Sequence, residues 1–286
     1  MSQAEFDPIA FKKTTKDQWN NVAGNWNTWG DFLQSWLGPA TDTMLDMARV
    51  ATGSRVLHVA GGSGQEALQT ARRVGPDGYV LTTDVSENLT QLAEENAKAA
   101  GFGNIEARVM DGENLDVPAT SFDAVTSRVG LIFFPDQKGS VQQQMTALKA
   151  GGYVGAVVYA TAEENRFFSD PVGIIRRRAE LGPPLPGQPG PFSLGGEGTI
   201  SELFRSAGLV DIEEQKIAAP LILDSAVECL RFEQESFGAL HQMLAKLDEA
   251  DKQAAWDEVG QALALFETGG RFEGPCTLIA AVGRMP

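Results

Sequence analysis

The sequence predicts an α/β fold built on a doubly wound, mostly parallel sheet. From residue 54 onward, short apolar stretches alternate with amphipathic stretches long enough to form crossover helices. Glycines or acidic residues follow the first three apolar stretches, at the sheet edge where such folds bind ligands. With 286 residues, of which 43% are hydrophobic and 21% charged, the chain is long enough for one large domain with insertions.

Residues 1 to 50 are predicted to form an N-terminal helical lid. Four of the five tryptophans lie in this segment. Its apolar residues recur at helical spacing in two sets, namely Trp19, Val22, Ala23 and Trp26, then Trp29, Phe32, Leu33, Trp36 and Leu37. Their aromatic surfaces either attach a helical layer to the core or also contact a ligand. In the second case Trp26 and Trp29 are predicted substrate-lid residues.

The first predicted strand runs into a glycine-rich turn and a helix, in the stretch RVLHVAGGSGQEAL at residues 55 to 68. A turn at GPDG then leads to a second strand, YVLTTD, which ends at Asp84. The helix that follows begins at the N-cap Ser86 and stops at Gly101. Strands separated by helices of this length imply parallel pairing through right-handed crossovers.

The remaining elements continue this alternation as far as a fifth strand and are less regular beyond it. They are a third strand, NIEARVM, a fourth, FDAVTS, a helix over 138 to 150, a fifth strand, GGYVGAVVYA, an irregular loop at 181 to 198, a helix at 198 to 207, a strand, LVDIEEQKI, two helices within 224 to 268, and a last strand, CTLIAAVGR. A core over 51 to 286 is therefore predicted, with insertions at about 161 to 197 and 224 to 268.

Three glycines in the turn after the first strand predict a ligand site. Gly61, Gly62 and Gly64 let the backbone come close to a ligand, and the next helix offers its N-terminus. In an open α/β sheet, ligands bind at the carboxyl ends of the strands. A glycine-rich run alone is weak support for such a site.

Acidic residues at the ends of the next two strands strengthen that prediction. Asp84 lies about 20 residues after Gly64, where a carboxylate can accept both hydroxyls of an adenosine ribose. Asp111, with Gly112 beside it, is placed to meet the adenine ring. A helix or turn cap is the alternative role of both acids.

These motifs resemble a known family. The core over 54 to 160 resembles the class I S-adenosylmethionine-dependent methyltransferases, and VLHVAGGSGQEALQTARRVGPDGYVLTTDVS is particularly similar to their ubiquinone/menaquinone-biosynthesis-like small-molecule branch. SFDAVTSRVGLIFFPD, LKAGGYV and DQWNNVAGNWNTW also resemble that branch. The resemblance implies a Rossmann-like seven-stranded sheet whose last strand, residues 276 to 283, is antiparallel. It further implies S-adenosyl-L-methionine as cofactor and methyl transfer to an O, N, S or C atom of a small organic acceptor.

Residue by residue, the resemblance implies a cofactor site at the strand ends. Its contacts would be the methionine part against Ala60, Gly61, Gly62 and Gly64, the ribose against Asp84, the adenine against Val85, Asp111 and Gly112, and the sulfonium beside Ser127 and Arg128. The N-terminal helices and both insertions would cover the acceptor site. The signature that quinone methyltransferases carry after the fourth strand is absent, because SRVGLIFF stands in its place.

His58 departs from this family pattern. The family has an acid at the end of the first strand, which places negative charge near a cofactor that bears a sulfonium and an ammonium. We expect His58 to be neutral and structural, fixing the glycine loop through a ring nitrogen. Loss of a charge-assisted hydrogen bond costs roughly 1.5 to 3 kcal/mol, so His58→Asp is expected to tighten cofactor binding.

Few side chains are candidates for acid–base work. Only two histidines occur, and His241 in the second insertion is the candidate base, with an ordinary surface or core-edge histidine as the alternative. Arg128 either orients an anionic acceptor or forms a structural ion pair. Tyr159, at the end of the fifth strand, is a weaker candidate on the substrate side.

Two other functions remain open at this stage. GSGQEA also satisfies the dinucleotide fingerprint G-x-G-x-x-A with Asp84 as the ribose acid, which would indicate a nicotinamide-dependent oxidoreductase. No Tyr-Lys hydride-transfer set accompanies it. The histidine at position 58 favours the other alternative, a member of the fold that binds S-adenosylmethionine without methylating.

Composition excludes several partners. The formal charge of −15 argues against nucleic acid, which is held by cationic side chains. Cys229 and Cys276 form neither a disulfide framework nor a metal-ligand spacing, so no metal is expected. With no signal peptide or membrane span in the sequence, we expect a cytoplasmic protein. The oligomeric state is not predicted.

Overall fold

A computed structural model describes residues 6 to 286, so the first five residues of the predicted N-terminal lid lie outside the described residues. The helices are α1 (Pro8–Thr28), α2 (Gly30–Met47), α3 (Gln65–Val74), α4 (Glu87–Ala99), α5 (Gln137–Ala147), α6 (Arg166–Arg178), α7 (Thr199–Ala207), α8 (Ala226–Ser236), α9 (Gly238–Leu244) and α10 (Glu249–Ala264). The strands are β1 (Arg55–Val59), β2 (Tyr79–Asp84), β3 (Ile105–Val109), β4 (Phe122–Arg128), β5 (Leu148–Tyr159), β6 (Val210–Ala218), β7 (Leu221–Leu223), β8 (Glu267–Thr268), β9 (Arg271–Gly274) and β10 (Thr277–Arg284).

Seven strands form one sheet in the order β3-β2-β1-β4-β5-β10-β6. The pairs among β1 to β5 are parallel, while β10 runs antiparallel to both β5 and β6. The predicted doubly wound sheet with an antiparallel last strand is thereby confirmed. The strand order reverses between β1 and β4, and a crevice therefore opens at the carboxyl ends of these two strands.

The helices of the N-terminal segment lie in two different places. In α2, Trp36 donates from Nε1 to the Ala219 carbonyl oxygen at 2.9 Å, and Met44 packs over Gly155 of β5. Helix α2 is therefore a layer of the core. Helix α1 instead lies above the strand ends, where its Asn20 carbonyl accepts a bond from Asn88 Nδ2. The term lid fits α1 alone.

The segment between 224 and 268 contains three helices, not the predicted two. Phe237 adopts φ −110° and ψ 81° and separates α8 from α9, and Asp248 begins α10 as an N-cap that accepts from the Asp251 N–H at 2.8 Å. A second sheet, of order β7-β9-β8, flanks these helices and was not predicted. Strands of two to four residues are too short to show a periodic pattern.

The Pro- and Gly-rich loop at 181 to 198 is irregular, as the sequence predicts. Its last turn is fixed against the sheet, because Leu194 is buried and a side chain at Gly195 would collide with the backbone of Tyr159 and Ala160. The loop is therefore packed against the end of β5. Within residues 6 to 286, no helix is both long enough and apolar enough to cross a membrane.

Substitutions at two glycines of this loop test whether it packs tightly against the end of β5. Gly195→Ala should lower the free energy of unfolding by about 1 to 3 kcal/mol, because the added methyl group meets backbone atoms that cannot move aside. Gly190→Ala is the matched control, since a methyl group there meets no atom within 4 Å. Urea unfolding of both variants measures the difference. Equal unfolding free energies of the two variants would contradict tight packing of the loop against β5.

Candidate functional site

Two connected cavities open at the carboxyl edge of the sheet. The first, called the strand-end cleft, lies at the ends of β1, β2 and β4 and is closed by α1. Eight of the predicted cofactor residues line it, namely Ala60, Gly61, Gly62, Asp84, Val85, Asp111, Gly112 and Arg128. The cleft and the second cavity share lining residues of α1 and of the turn after β4, so they communicate.

The glycine turn brings backbone into the cleft. Gly62 has φ +58°, and its N–H donates to Asp84 Oδ2 at 3.0 Å, which joins the ends of β1 and β2. Gly64, at φ +91°, begins α3 and packs on Ala93, so it shapes the turn without lining the cleft. At Gly61 a side chain would collide with Thr82.

Two residues without glycine's freedom also hold left-handed backbone in the cleft. Ala60 has φ +58° and Val129 has φ +51°, a conformation that is a genuine outlier for a β-branched residue. The Val129 N–H is held by the Val157 carbonyl at 2.7 Å. Strained backbone of this kind persists where surrounding structure imposes it, and it concentrates at binding sites.

Asp84 is a buried carboxylate at the centre of the cleft. Burial raises its pKa to about 6, although bonds from the backbone N–H groups of Ser86, Gly62 and Val85 oppose the rise. The Ser86 N–H donates to Asp84 Oδ1 at 2.9 Å. The side chain is thus oriented by the backbone and still faces the cleft.

The far end of the cleft is closed by an ion pair and an aromatic ring. Lys12 of α1 pairs with Asp111 and with Glu113, which fastens α1 over the end of β3. Burial lowers the pKa of Lys12, but the two carboxylates outweigh it and the net shift is upward. Gly112 has no room for a side chain, because the Phe134 ring lies against it.

Arg128 and Ser127 behave differently although they are neighbours. Arg128 lines the cleft while almost fully buried, and its Nη1 donates to Thr41 Oγ1 at 3.2 Å. Burial lowers its pKa, and the charge of Glu66 opposes that shift. Ser127 is buried away from both cavities, and its hydroxyl has no hydrogen-bond partner within residues 6 to 286.

The second cavity, called the acceptor chamber, has a volume of about 990 Å³. Its walls come from α1, α6, the loop at 181 to 193 and the α8–α9 junction, so both predicted insertions contribute to it. The lining is mostly apolar and aromatic, and its charged residues are Asp7, Arg176 and Lys246.

The three predicted lid residues are placed differently. Trp26 lines both cavities, and Tyr159 lines the acceptor chamber. Trp29 lines neither cavity. It packs edge-on against Phe232 and donates from Nε1 to Glu235 Oε2 at 2.8 Å. It therefore serves the core and not the lid.

Comparison with known proteins agrees with this geometry. The sequence model described as the ubiE/COQ5 methyltransferase family matches residues 32 to 170. The chain is 30% identical over 142 residues to the ubiquinone/menaquinone biosynthesis C-methyltransferase UbiE of Ectopseudomonas oleovorans, a match that covers 49% of this chain and 84% of that protein. The chain belongs to the ubiE/COQ5 methyltransferase family. This family is one of class I S-adenosylmethionine-dependent methyltransferases, and membership in it does not favour the nicotinamide-dependent alternative.

Other relatives show how far the likeness extends. The nocamycin O-methyltransferase of Saccharothrix syringae is 26% identical over 187 residues, which cover 62% of this chain and 66% of that protein. The match to the UbiE protein of Pseudomonas entomophila spans 56% of its length, so several curated relatives are matched over only half to two thirds of their chains. A putative methyltransferase of Haloferax volcanii, solved with its Trm112 activator, shares the fold at a TM-score of 0.60 and 19% identity, covering 95% of this chain and 97% of that one.

His58 does not occupy the role expected for it. It is fully buried in β1, with Nδ1 2.6 Å from Thr126 Oγ1 and Nε2 3.0 Å from Thr70 Oγ1, so it does not fix the family's glycine loop. Its Nδ1 also lies 3.0 Å from Glu66 Oε1. Glu66 already supplies a carboxylate beside this position, so the structure weakens the reason for expecting His58→Asp to tighten binding, and that effect stays a prediction.

His241 lies outside both cavities. Its ring is exposed on α9, where Nε2 is 2.6 Å from the Gln234 carbonyl oxygen and the imidazole packs against Trp256. A base must reach the proton it removes, and His241 lines neither the cleft nor the chamber. The prediction of a catalytic His241 is therefore not supported, and the alternative of a surface histidine fits.

The sequence reasoning missed several residues of the cleft. They are Lys12, Thr15, Trp19, Glu66, Leu89, Met110, Gly130, Phe133, Phe134 and Pro135. The sequence did carry a signal for Glu66, because an acidic residue in the first helical turn after a glycine loop faces that loop. Lys12 gave no such signal in the sequence, because its partner Asp111 is far away along the chain, after β3. Among residues 6 to 286, no group of three His, Cys, Asp or Glu side chains could hold a metal ion.

Another buried acid lies outside both cavities. Glu233 on α8 is fully buried, and neither carboxyl oxygen has a hydrogen-bond partner within the described residues. Burial raises its pKa well above the usual range. Its charge also contributes to the raised pKa of Tyr159, after the larger effects of burial and of Cys276.

Glu233 should make the fold less stable as pH rises. The folded-state pKa is raised, so the stabilisation from the protonated form is complete below the unfolded pKa and is lost as pH climbs towards the folded pKa. Replacement by Gln removes this loss. The unfolding free energy of Glu233→Gln minus that of the wild type should grow as pH rises from about 5 towards the folded-state pKa, by on the order of 1 kcal/mol per pH unit. Denaturant unfolding between about pH 5 and pH 8 measures it, and a pH-independent difference would contradict the buried, unpartnered state.

Proposed function

We propose that this protein transfers a methyl group from S-adenosyl-L-methionine to a bulky, largely apolar small molecule held in the acceptor chamber. The observation that carries the proposal is the junction of the two cavities at Trp19, Trp26 and Val129. Methyl transfer is an in-line displacement, so a donor in the cleft and an acceptor in the chamber must meet at such a junction.

The cleft suits the cofactor of the family. Asp84 offers a backbone-oriented carboxylate for the ribose hydroxyls, and Val85 with Phe134 forms an apolar slot for the adenine. Gly62 brings backbone close to the methionine part. When bound, S-adenosylmethionine supplies an electrophilic methyl group. The residues of this chain then hold its two ends and keep water out beneath α1.

The chamber indicates the class of acceptor. A volume near 990 Å³ lined mostly by aromatic and aliphatic side chains favours a ring-containing, weakly polar molecule. Ser236 has a buried hydroxyl that lines the chamber without a partner within residues 6 to 286, and Tyr159 lines it too. Because its pKa is raised, Tyr159 stays a neutral hydrogen-bond donor for an acceptor oxygen.

Two relatives support an acceptor of this kind. One is named for ubiquinone and menaquinone biosynthesis and methylates carbon, and the other is named for nocamycin and methylates oxygen. The proposal therefore leaves the methylated atom open. The alternative is a member of the fold that binds the cofactor without methylating, and it was favoured only by the missing acid at position 58. Glu66 places a carboxylate beside His58 in the same cleft, so that alternative has less support.

Turnover with a panel of acceptors tests the proposal. Purified protein, S-adenosylmethionine and either bulky phenols and quinols or small polar amines are assayed for S-adenosylhomocysteine release. Release with the bulky apolar group alone is expected. Tyr159→Phe should raise the acceptor KM about 3- to 10-fold by removal of one hydrogen bond, with unchanged cofactor affinity. Absence of release with every bulky acceptor, or release only with the amines, would overturn the proposal.

Cofactor binding should depend on pH through Asp84. The ionised carboxylate accepts ribose hydroxyls, whereas the protonated form offers weaker acceptors, and its pKa is about 6. Affinity for S-adenosylhomocysteine is therefore expected to rise as pH increases through about 6 and to level off about one unit higher. Calorimetric titration across that range measures it.

Asp84→Asn is the control for this pH dependence. The variant should bind more weakly at neutral pH and show no rise in affinity near pH 6. A rise that persists in Asp84→Asn would assign the titration to another group.

A further inference from the structure

We propose that Glu66, positioned by His58 and Thr126, binds the amino group of the methionine part of the cofactor. The inference rests on the proposed cofactor and adds a residue that the family pattern does not supply. In this chain His58 occupies the strand position at which the family resemblance implies an acid, and Glu66 lies in the first turn of α3.

The location of Glu66 is the first argument. It is the second residue of α3, the helix that begins directly after the glycine turn, so its side chain points back towards that turn. Only 1% of its surface is exposed, yet it lines the strand-end cleft together with Ala60, Gly61 and Arg128. A carboxylate in the first turn of a helix is also favoured by the helix dipole.

The second argument is that one carboxyl oxygen is anchored and the other is free. Thr126 Oγ1 donates to Glu66 Oε1 at 3.1 Å, and His58 Nδ1 lies 3.0 Å from the same oxygen. Thr70 holds the opposite ring nitrogen of His58 at 3.0 Å. Within residues 6 to 286, every hydrogen bond to this carboxyl group ends on Oε1, which leaves Oε2 to the cleft.

The third argument is charge. Burial alone raises the pKa of Glu66, but the charge and hydrogen bond of His58, with the charge of Arg128, outweigh it and the net shift is downward. Glu66 therefore stays anionic in a buried site. The guanidinium of Arg128 lines the same cleft. One buried anion and one buried cation match the ammonium and carboxylate of an amino acid.

The experiment compares two ligands that differ in their amino-acid end. S-Adenosylhomocysteine carries the amino group, whereas 5′-methylthioadenosine shares the nucleoside and lacks it. Their dissociation constants are measured by calorimetry for the wild type and for Glu66→Gln. Loss of a charge-assisted bond should weaken S-adenosylhomocysteine binding roughly 10- to 100-fold, while 5′-methylthioadenosine binding changes less than about threefold.

Two controls separate binding from folding. Glu202→Gln removes an exposed carboxylate from the first turn of α7 and should change neither affinity. If Glu66→Gln does not fold, the wild type is tested with S-adenosylhomocysteine lacking its amino group, which should bind roughly 10- to 100-fold more weakly than the parent ligand. Equal binding of these two ligands would overturn the inference.

The remaining outcomes tell the two proposals apart. Equal weakening of both ligands in Glu66→Gln would make Glu66 a structural residue and overturn the inference, with the cofactor site intact. Unchanged S-adenosylhomocysteine binding in that variant would overturn it as well. Failure of the wild type to bind either ligand would overturn the proposed function itself, and the inference with it.

Discussion

The hydrogen bond from the Gly62 N–H to Asp84 Oδ2 joins the ends of β1 and β2, and the cleft depends on it. It requires the glycine turn to bend back towards β2, which Gly62 achieves with φ +58°. The turn also sets the start of α3 and thereby the direction of Glu66. This one hydrogen bond thus fixes the Asp84 carboxylate, the glycine turn and the start of α3 relative to one another.

The cleft concentrates charge that a buried site tolerates only when it is paired. Glu66 lies between His58 and Arg128, and both oppose the cost of burying its carboxylate. The arrangement explains why a histidine can stand at the strand end without leaving the cleft cationic. Without Glu66, the buried guanidinium of Arg128 would lose the carboxylate whose charge opposes the cost of its burial.

Sequence patterns predicted the sheet and the strand-end residues because both follow from periodicity. Apolar stretches spaced by helices determine a parallel sheet, and the ends of its strands place Asp84, Asp111 and Gly112 at one edge, whereas Val85 is implied only by the family resemblance. The pattern did not reveal the role of Glu66 or Lys12, because pairs such as Lys12 with Asp111 form only after the chain folds. Trp26 and Trp29 are both buried, and only packing places Trp26 at the two cavities and Trp29 away from them.

Helix α1 links the two cavities mechanically. On the cleft side its Lys12 pairs with Asp111, and on the chamber side its Gln18 bonds to Gln242 of α9. Trp19 and Trp26 of the same helix line both cavities. The side chains of Lys12 and Asp111 are 34% and 35% exposed, whereas α1 also buries Val22, Ala23 and Trp26. Because Trp19 and Trp26 line both cavities, a displacement of α1 would open the cleft and the chamber together, and its return would exclude water from both.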